Sequence, residues 1–368
     1  MSATTYLQDQ IATLLQSGLE FSDVHVREGA ALRVRSAGRL RLQEGSVVST
    51  QALHGFLAGV SPDAHWTARL EQGAGHWDFS FSLGDTRFRC NLHRCEAGRV
   101  LVLVLRRLEG HPASLEQLGL PASVLQFVDR RAGLVLVTGP TGSGKSTTLA
   151  ALVDHINQTR DGKIVTIEDP IELLHRSARC SIIQREVGTD VESFAEGLRA
   201  AFRQDPDVIL IGEIRDRDTM ATALAAAEAG HLVLATLHTL SAAKTVDRIT
   251  DFFAGEDKSL VRGVLASVLV GVIGQVLLPR QDGQGRILAW ELMEATPALA
   301  SLIREGRSHQ IPNTISTGGL PNLQLLNRTL SQLARARLVA PREARHASYD
   351  PRDFDREFEV REGRHGGD

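Results

Sequence analysis

From Asp23 to about Arg106, apolar and polar residues alternate with a period of two or gather in short apolar runs broken by glycine. DVHV, ALRVR, RLRL, FSFSLG, TRFRCNLH and RVLVLVLRR each predict a strand. Helical spacing appears near residues 5–17, where Leu7, Ile11, Leu14 and Leu15 fall on one face, and again near 50–60. The pattern predicts a small α+β domain over residues 1–108. HPASLEQLGLPASV carries two prolines and predicts a linker, set at 109–122, that runs into a helix. The texture then changes to strands interleaved with long helices. GLVLVTG, KIVTIED, DVILIGE and HLVLATLH predict strands; SFAEGLRAAFRQ and DTMATALAAAEAG predict helices between them. Apolar strands bounded by acids or glycine and alternating with helices indicate a parallel sheet covered on both faces. This second, α/β domain is expected over 123–347. The charge-rich segment after it, 348–368, is expected to fray. No internal repeat is visible.

Gly263–Pro279 (GVLASVLVGVIGQVLLP) is the most apolar stretch. It is shorter than the roughly 20 residues that span a bilayer and holds Ser267 and Gln275, so a buried helix is expected there. The opening MSATTYLQDQIATLLQ has neither a basic nor an apolar region of the secretory kind. Any membrane role is therefore expected to be peripheral. The 368 residues contain 41 Lys plus Arg against 44 acids, a net charge of -3. That balance argues against direct binding of nucleic acid through bulk positive charge. Three cysteines, Cys90, Cys95 and Cys180, make neither a disulfide scaffold nor a four-cysteine zinc site, and point to a reducing, cytoplasmic compartment.

The strongest chemical signal is Gly139-Pro140-Thr141-Gly142-Ser143-Gly144-Lys145-Ser146-Thr147, which fits G-x-x-x-x-G-K-[ST] between a predicted strand and a predicted helix. Glycines let main-chain N–H groups curl around phosphates, and the helix start adds positive potential. Lys145 is placed to reach the β and γ phosphates of ATP, and the Ser146 hydroxyl to bind Mg²⁺. Glu213 closes the apolar strand VILIGE, where a carboxylate is needed toward metal or water. Glu168, Asp169 and Glu172 crowd the end of the preceding strand; spacing alone does not choose the water-activating base among them. His231 and His238 bracket another strand.

Together these segments resemble the type II/IV secretion ATPase superfamily, and within it the PilT/PilU-type pilus retraction ATPases. The likeness runs from about Asp23 to about residue 347. GLVLVTGPTGSGKSTTLAAL is similar to the family's Walker A, TIEDPIE to its Asp box, DPDVILIGEIRD to its Walker B and AGHLVLATLHTLSAAKTVDRI to its His box. The resemblance implies that Glu172 activates water, that Glu213 is the Walker B acid near Mg²⁺, and that His231 and His238 sense nucleotide. It also implies an N-terminal PAS-like domain, a RecA-like P-loop domain and a homohexameric ring. In such rings arginines of the N-terminal domain help to bind the γ-phosphate; Arg87, Arg89, Arg99 and Arg106 match that region, and a guanidinium fork suits phosphoryl oxygens. Expected partners are an inner-membrane platform protein, the type IV pilus machinery and a paralogous retraction ATPase, all met at the inner face of the cell membrane.

The lack of four zinc-binding cysteines and of a long N-terminal extension favours retraction over assembly or secretion. The family's AIRNLIRE motif is only half kept: Ala298-Leu299-Ala300-Ser301-Leu302-Ile303-Arg304-Glu305 has Ala300 where the family has Arg. A buried helix face made of Leu299, Leu302 and Ile303 is the competing account of that segment. An assembly or type II secretion ATPase, or a RecA-like motor that handles DNA, are the rival readings of the whole chain.

Overall fold

The computed structural model describes residues 3–36, 39–61, 63–72, 75–84, 86–108 and 112–359. The chain forms two compact units. The first comprises Met1–His111 together with Pro170–Leu174, and the second Pro112–Asp169 together with His175–Asp368.

The first unit contains helix α1 (Ala3–Gln16), strands β1 (Asp23–Arg27), β2 (Ala31–Ser36) and β3 (Arg39–Val47), helices α2 (Thr50–Val60) and α3 (Trp66–Gln72), and strands β4 (His76–Leu83), β5 (Thr86–Cys95) and β6 (Val100–Arg107). The strands make one antiparallel sheet in the order β3-β2-β1-β6-β5-β4. Period-two alternation sends Val24 and Val26, Phe88, Cys90 and Leu92, and Leu101, Leu103 and Leu105 into one cluster with Leu7 and Ile11 of α1 and Leu53, Phe56 and Leu57 of α2. Burying each of these large side chains stabilises the unit by about 1.5–3 kcal/mol. Arg87, Arg89 and Arg106 alternate with them and so belong to the opposite face. All six strands expected here form.

The second unit opens with α4 (Leu115–Leu118) and α5 (Leu125–Val128), then β7 (Gly133–Thr138), α6 (Lys145–Thr159), β8 (Gly162–Glu168), β9 (Cys180–Glu186) and α7 (Phe194–Ala201). It continues through β10 (Val208–Ile211), α8 (Arg217–Glu228), β11 (Leu232–Leu237), α9 (Ala242–Asp251), α10 (Asp257–Val268), β12 (Leu269–Pro279) and β13 (Arg286–Glu294). The last elements are α11 (Pro297–Glu305), α12 (Ile311–Thr317), β14 (Leu323–Gln324), α13 (Leu326–Arg335), α14 (Pro341–Ala347) and α15 (Pro351–Glu359). Its sheet runs β14-β13-β12-β7-β11-β10-β8-β9. The six strands from β12 to β9 are parallel; β13 and β14 extend them antiparallel. Along β7, Leu134 and Leu136 enter the core under α7–α10, while Val135 and Val137 enter the core under α5 and α6. A strand buried on both faces has no polar side, which is why its sequence reads as an unbroken apolar run.

Two expectations need correction. Gly263–Pro279 is not one helix: α10 ends at Val268 and Leu269–Pro279 is the strand β12. Val270, Val272, Ile273 and Val276 are β-branched, and β12 lies between β7 and β13, so it too loses the alternation that would mark a strand. Gly271 is required there, because a Cβ would fall 2.6 Å from the Phe127 ring. Among the described residues no helix is long and apolar enough to cross a membrane. The tail expected to fray from residue 348 is instead helical over Pro351–Glu359. Phe354 and Phe358, one turn apart, pack against α13; Phe354 is buried, and the Arg335 guanidinium lies 5.6 Å from the Phe358 ring and donates to the Glu357 and Phe358 carbonyls. Residues 360–368 of that expectation lie outside the described residues.

Candidate active site

In the second unit β7 runs straight into the glycine loop and α6 starts at Lys145. Gly139, at φ 148°, cannot carry a side chain: a Cβ would lie 2.2 Å from the Gln275 carbonyl oxygen and 2.6 Å from Ser143 Oγ. The loop is braced from the β12–β13 hairpin. Gln275 Nε2 donates to Ser143 O at 2.7 Å, and Arg286 Nη1 donates to Gly142 O at 3.3 Å. These bonds hold two loop carbonyls outward. Lys145 is buried and its Nζ donates to Gly139 O at 3.0 Å and Pro140 O at 3.1 Å. Ser143 Oγ and Thr138 Oγ1 are buried with no hydrogen-bond partner. A buried hydroxyl without a protein partner inside the glycine loop, that of Ser143, fits a polyphosphate. Ser146 is exposed one residue into α6, where a hydroxyl can meet a metal.

Two strand spacings from β7, or about 10 Å, the chain leaves β10 at Gly212-Glu213. Gly212 N donates to Ile167 O and Thr236 Oγ1 donates to Gly212 O, which fixes the peptide before Glu213. His238 Nε2 stands 3.1 Å from Glu213 Oε1, and Arg215 Nη2 donates to Glu213 Oε2 at 2.7 Å. Burial pushes the Glu213 carboxyl up, but the Arg215 hydrogen bond and the His238 charge outweigh it and hold the group below the usual carboxylate range. Arg215 also lies 3.9 Å from half-exposed Asp169. Glu168 Oε1 accepts from Thr166 Oγ1 at 2.6 Å and Gln184 Nε2 at 3.0 Å. The structure thus brings the phosphate loop, Glu213, His238, Arg215 and Asp169 to one edge of the sheet.

His231 is not among them. Its neighbour Leu232 pairs with Gly133 at the start of β7, whereas Leu237 pairs with Thr138 at the end. Six residues of strand put His231 about 20 Å away, at the opposite edge. There its Nδ1 bonds the Pro206 carbonyl at 2.8 Å and its ring lies against Phe202. Within one chain the two histidines therefore do not form a pair: His238 alone stands beside Glu213, and His231 is held at the far edge.

Glu172 belongs to the first unit, in the Pro170–Leu174 segment, and is exposed. Arg87 Nε donates to the adjoining Ile171 carbonyl at 3.0 Å. Arg89 stands opposite Arg106 in the β5–β6 register. Arg106 Nε bonds the buried Asp23 carboxylate at 2.8 Å. Burial pushes the Asp23 carboxyl up, yet donation from Ser22 and Arg106 holds it below its ordinary value. Arg99 lies in the turn at the other end of the β5–β6 hairpin, seven residues and about 23 Å from Arg106. The four arginines therefore do not converge on one point of a single chain.

Gln275, Arg286 and Arg215 escaped the sequence reading. A lone amide in an apolar stretch was the available signal for Gln275, since a buried polar side chain needs a partner. Among the described residues no group of three or more His, Cys, Asp or Glu side chains forms a ready-made metal centre. Mg²⁺ does not demand one, because it is usually held by one or two protein oxygens plus phosphate and water.

A parallel sheet whose phosphate loop and acid edge lie at the same carboxyl ends defines a P-loop ATPase of RecA-like fold. Residues 19–318 match the model of the type II/IV secretion system protein family. The chain is 42% identical over 337 residues to the type IV pilus retraction ATPase PilT of Pseudomonas aeruginosa, covering 90% of this chain and 96% of that one. It is 48% identical over 269 residues to a twitching motility protein of Neisseria gonorrhoeae, covering 73% and 71%. The crystal structure of the pilus retraction motor PilT with bound ADP superposes with a TM-score of 0.85 at 40% identity, over 97% of this chain and 99% of that one. The chain belongs to the type II/IV secretion system protein family, among its type IV pilus retraction ATPases.

Proposed function

We propose that the chain is a homohexameric motor that hydrolyses ATP to drive retraction of a type IV pilus. The observation that supports hydrolysis is the pairing of a braced phosphate loop with an ionised Glu213 held by Arg215 and His238, and the similarity to PilT supports retraction. On binding, Lys145 exchanges its two loop carbonyls for β- and γ-phosphate oxygens, and the orphan hydroxyl of Ser143 gains an acceptor. Ser146 and Glu213 would hold Mg²⁺, which supplies charge neutralisation at the phosphates. Glu172 takes the proton of the attacking water as the γ-phosphoryl group leaves ADP. His238, bonded to Glu213, reports whether the γ-phosphate is present. Arg87, Arg89, Arg99 and Arg106 serve as γ-phosphate ligands only if different subunits supply them. Loss of those contacts after hydrolysis frees the ring to change shape, and a membrane platform protein at the inner face of the cell membrane receives the motion, alongside a paralogous retraction ATPase.

The test joins chemistry to output. Glu172→Gln should trap ATP in an assembled ring, and normal turnover by it refutes the proposed base. A strain lacking the gene should bear excess pili that do not retract and should not twitch. A bald cell would favour an assembly motor, and DNA-stimulated, salt-sensitive turnover a DNA-handling one.

A further inference from the structure

Glu291 is an acidic residue in the middle of β13 that the chemistry above does not use, and it is 1% exposed. All its hydrogen-bond partners are neutral. Oε1 accepts from Ala242 N at 2.6 Å; Oε2 accepts from Tyr349 Oη at 2.6 Å and Leu326 N at 3.3 Å. Two of these donors are main-chain N–H groups, which only donate, and both carboxyl oxygens are engaged; burial pushes the Glu291 carboxyl up, and the three donors oppose that shift. Burial and then the Glu291 charge push the Tyr349 phenol far above its ordinary range, so it stays a donor.

The three donors come from distant parts of the unit. Ala242 is the first residue of α9, four residues after His238, and the intervening turn is tied to that helix by Thr239 Oγ1 on Thr245 Oγ1 at 2.7 Å. Leu326 is the first residue of α13, whose N-cap Leu325 has no side chain that can cap it, so Glu291 satisfies the open N–H from outside. Tyr349 precedes α15 and packs with the α13–α15 cluster. Glu291 is also in register with the phosphate loop: Thr138, Gly274 and Glu291 lie side by side on β7, β12 and β13. Gly274 leaves the space between them, for a Cβ there would meet Glu291 Cβ at 3.3 Å and Thr138 Oγ1 at 3.6 Å.

We propose that Glu291 is a positioning residue that pins the start of α9, and with it His238 against Glu213, to the C-terminal helices α13–α15, making those helices part of the ATPase machinery. The proposal rests on the reading of His238 as a partner of Glu213 in turnover. A glutamine exchanges one acceptor oxygen for an NH₂ donor, so one of the two main-chain N–H groups loses its acceptor. Phenylalanine at 349 is the milder change, removing one donor and keeping the ring.

The experiment compares Tyr349→Phe, Glu291→Gln, His238→Ala and the Tyr349→Phe/His238→Ala double variant of the full chain, by steady-state ATPase assay, ADP titration and thermal unfolding. Tyr349→Phe should lower kcat about 3–10-fold and Glu291→Gln about 10–30-fold, with ADP affinity within about two-fold of the parent. The Tyr349→Phe loss should vanish in the His238→Ala background, because both act through one contact. Losses that multiply in the double variant, or an unchanged kcat with only a lower Tm, overturn the proposal while leaving His238 in its role. Parental turnover by His238→Ala removes the reading of His238 and the proposal with it. Should Glu291→Gln fail to fold, Tyr349→Phe decides alone.

Discussion

Replacing Gln275 by leucine isolates what the brace on the phosphate loop contributes. The side chain is 2% exposed; its Nε2 donates to Ser143 O at 2.7 Å, while its Oε1 has no partner. Leucine is close in volume and deletes both polar ends. The lost bond leaves a buried carbonyl unsatisfied, a cost of about 1–3 kcal/mol. Removal of the orphan Oε1 and burial of methyl groups return about 1–2 kcal/mol. The two nearly cancel, so global stability should move by no more than about 1 kcal/mol, a Tm shift on the order of 3 °C for a unit of this size. The loop is another matter. A net hydrogen bond of about 1 kcal/mol biases the Ser143 peptide about five-fold toward its braced orientation, and ligand affinity falls by the fraction of molecules that leave it. Without the bond the braced fraction falls from about five-sixths to about one half, so isothermal titration with ADP should give a Kd about two-fold weaker, beside an almost unchanged melting curve. An ADP affinity equal to the parent's refutes the brace. A stability loss beyond about 3 kcal/mol would show instead that Gln275 belongs to the core.

Two more outcomes separate the groups at the site from those outside it. His231→Ala should keep turnover within about three-fold while costing on the order of 1–2 kcal/mol of stability through the orphaned Pro206 carbonyl; a loss as deep as that of His238→Ala would refute a purely structural role for it. For Asp23, the folded pKa lies below the ordinary 3.8, so its contribution is present above that value and is lost as pH falls through the lower folded one. Asp23→Asn should therefore lower stability at neutral pH and flatten the acid limb of the Tm-against-pH curve, and two parallel curves would argue against the Arg106 pairing.

The phosphate loop was legible because its chemistry is local: nine consecutive residues carry it, flanked by a strand and a helix. The alternation of the first sheet was legible for the same reason, since one side of each strand stays polar. In the second sheet β7, β8, β10 and β11 were legible as short apolar runs ended by glycine, acid or histidine, whereas β12 read as a helix because burial on both faces erases the period. His231 and His238 look alike along the chain; only the parallel register of β7 and β11 shows that one marks the beginning of a strand and the other the end. Gln275 and Glu291 act on partners 132 and from 35 to 58 residues away in sequence, a separation that no local pattern encodes. The C-terminal helix hid behind its charge, where two phenylalanines one turn apart outweigh the acids and arginines around them.

The five residues Pro170–Leu174 join the N-terminal unit although the chain on both sides of them belongs to the ATPase unit. Dissecting the protein at the boundary after His111 therefore leaves that segment without the residues it packs with. A fragment starting at Pro112 keeps Glu172 but discards Arg87, the donor that grips the peptide next to it. Domain swapping between relatives meets the same obstacle: an N-terminal half transplanted from another motor must bring its own grip for a loop encoded sixty residues further on.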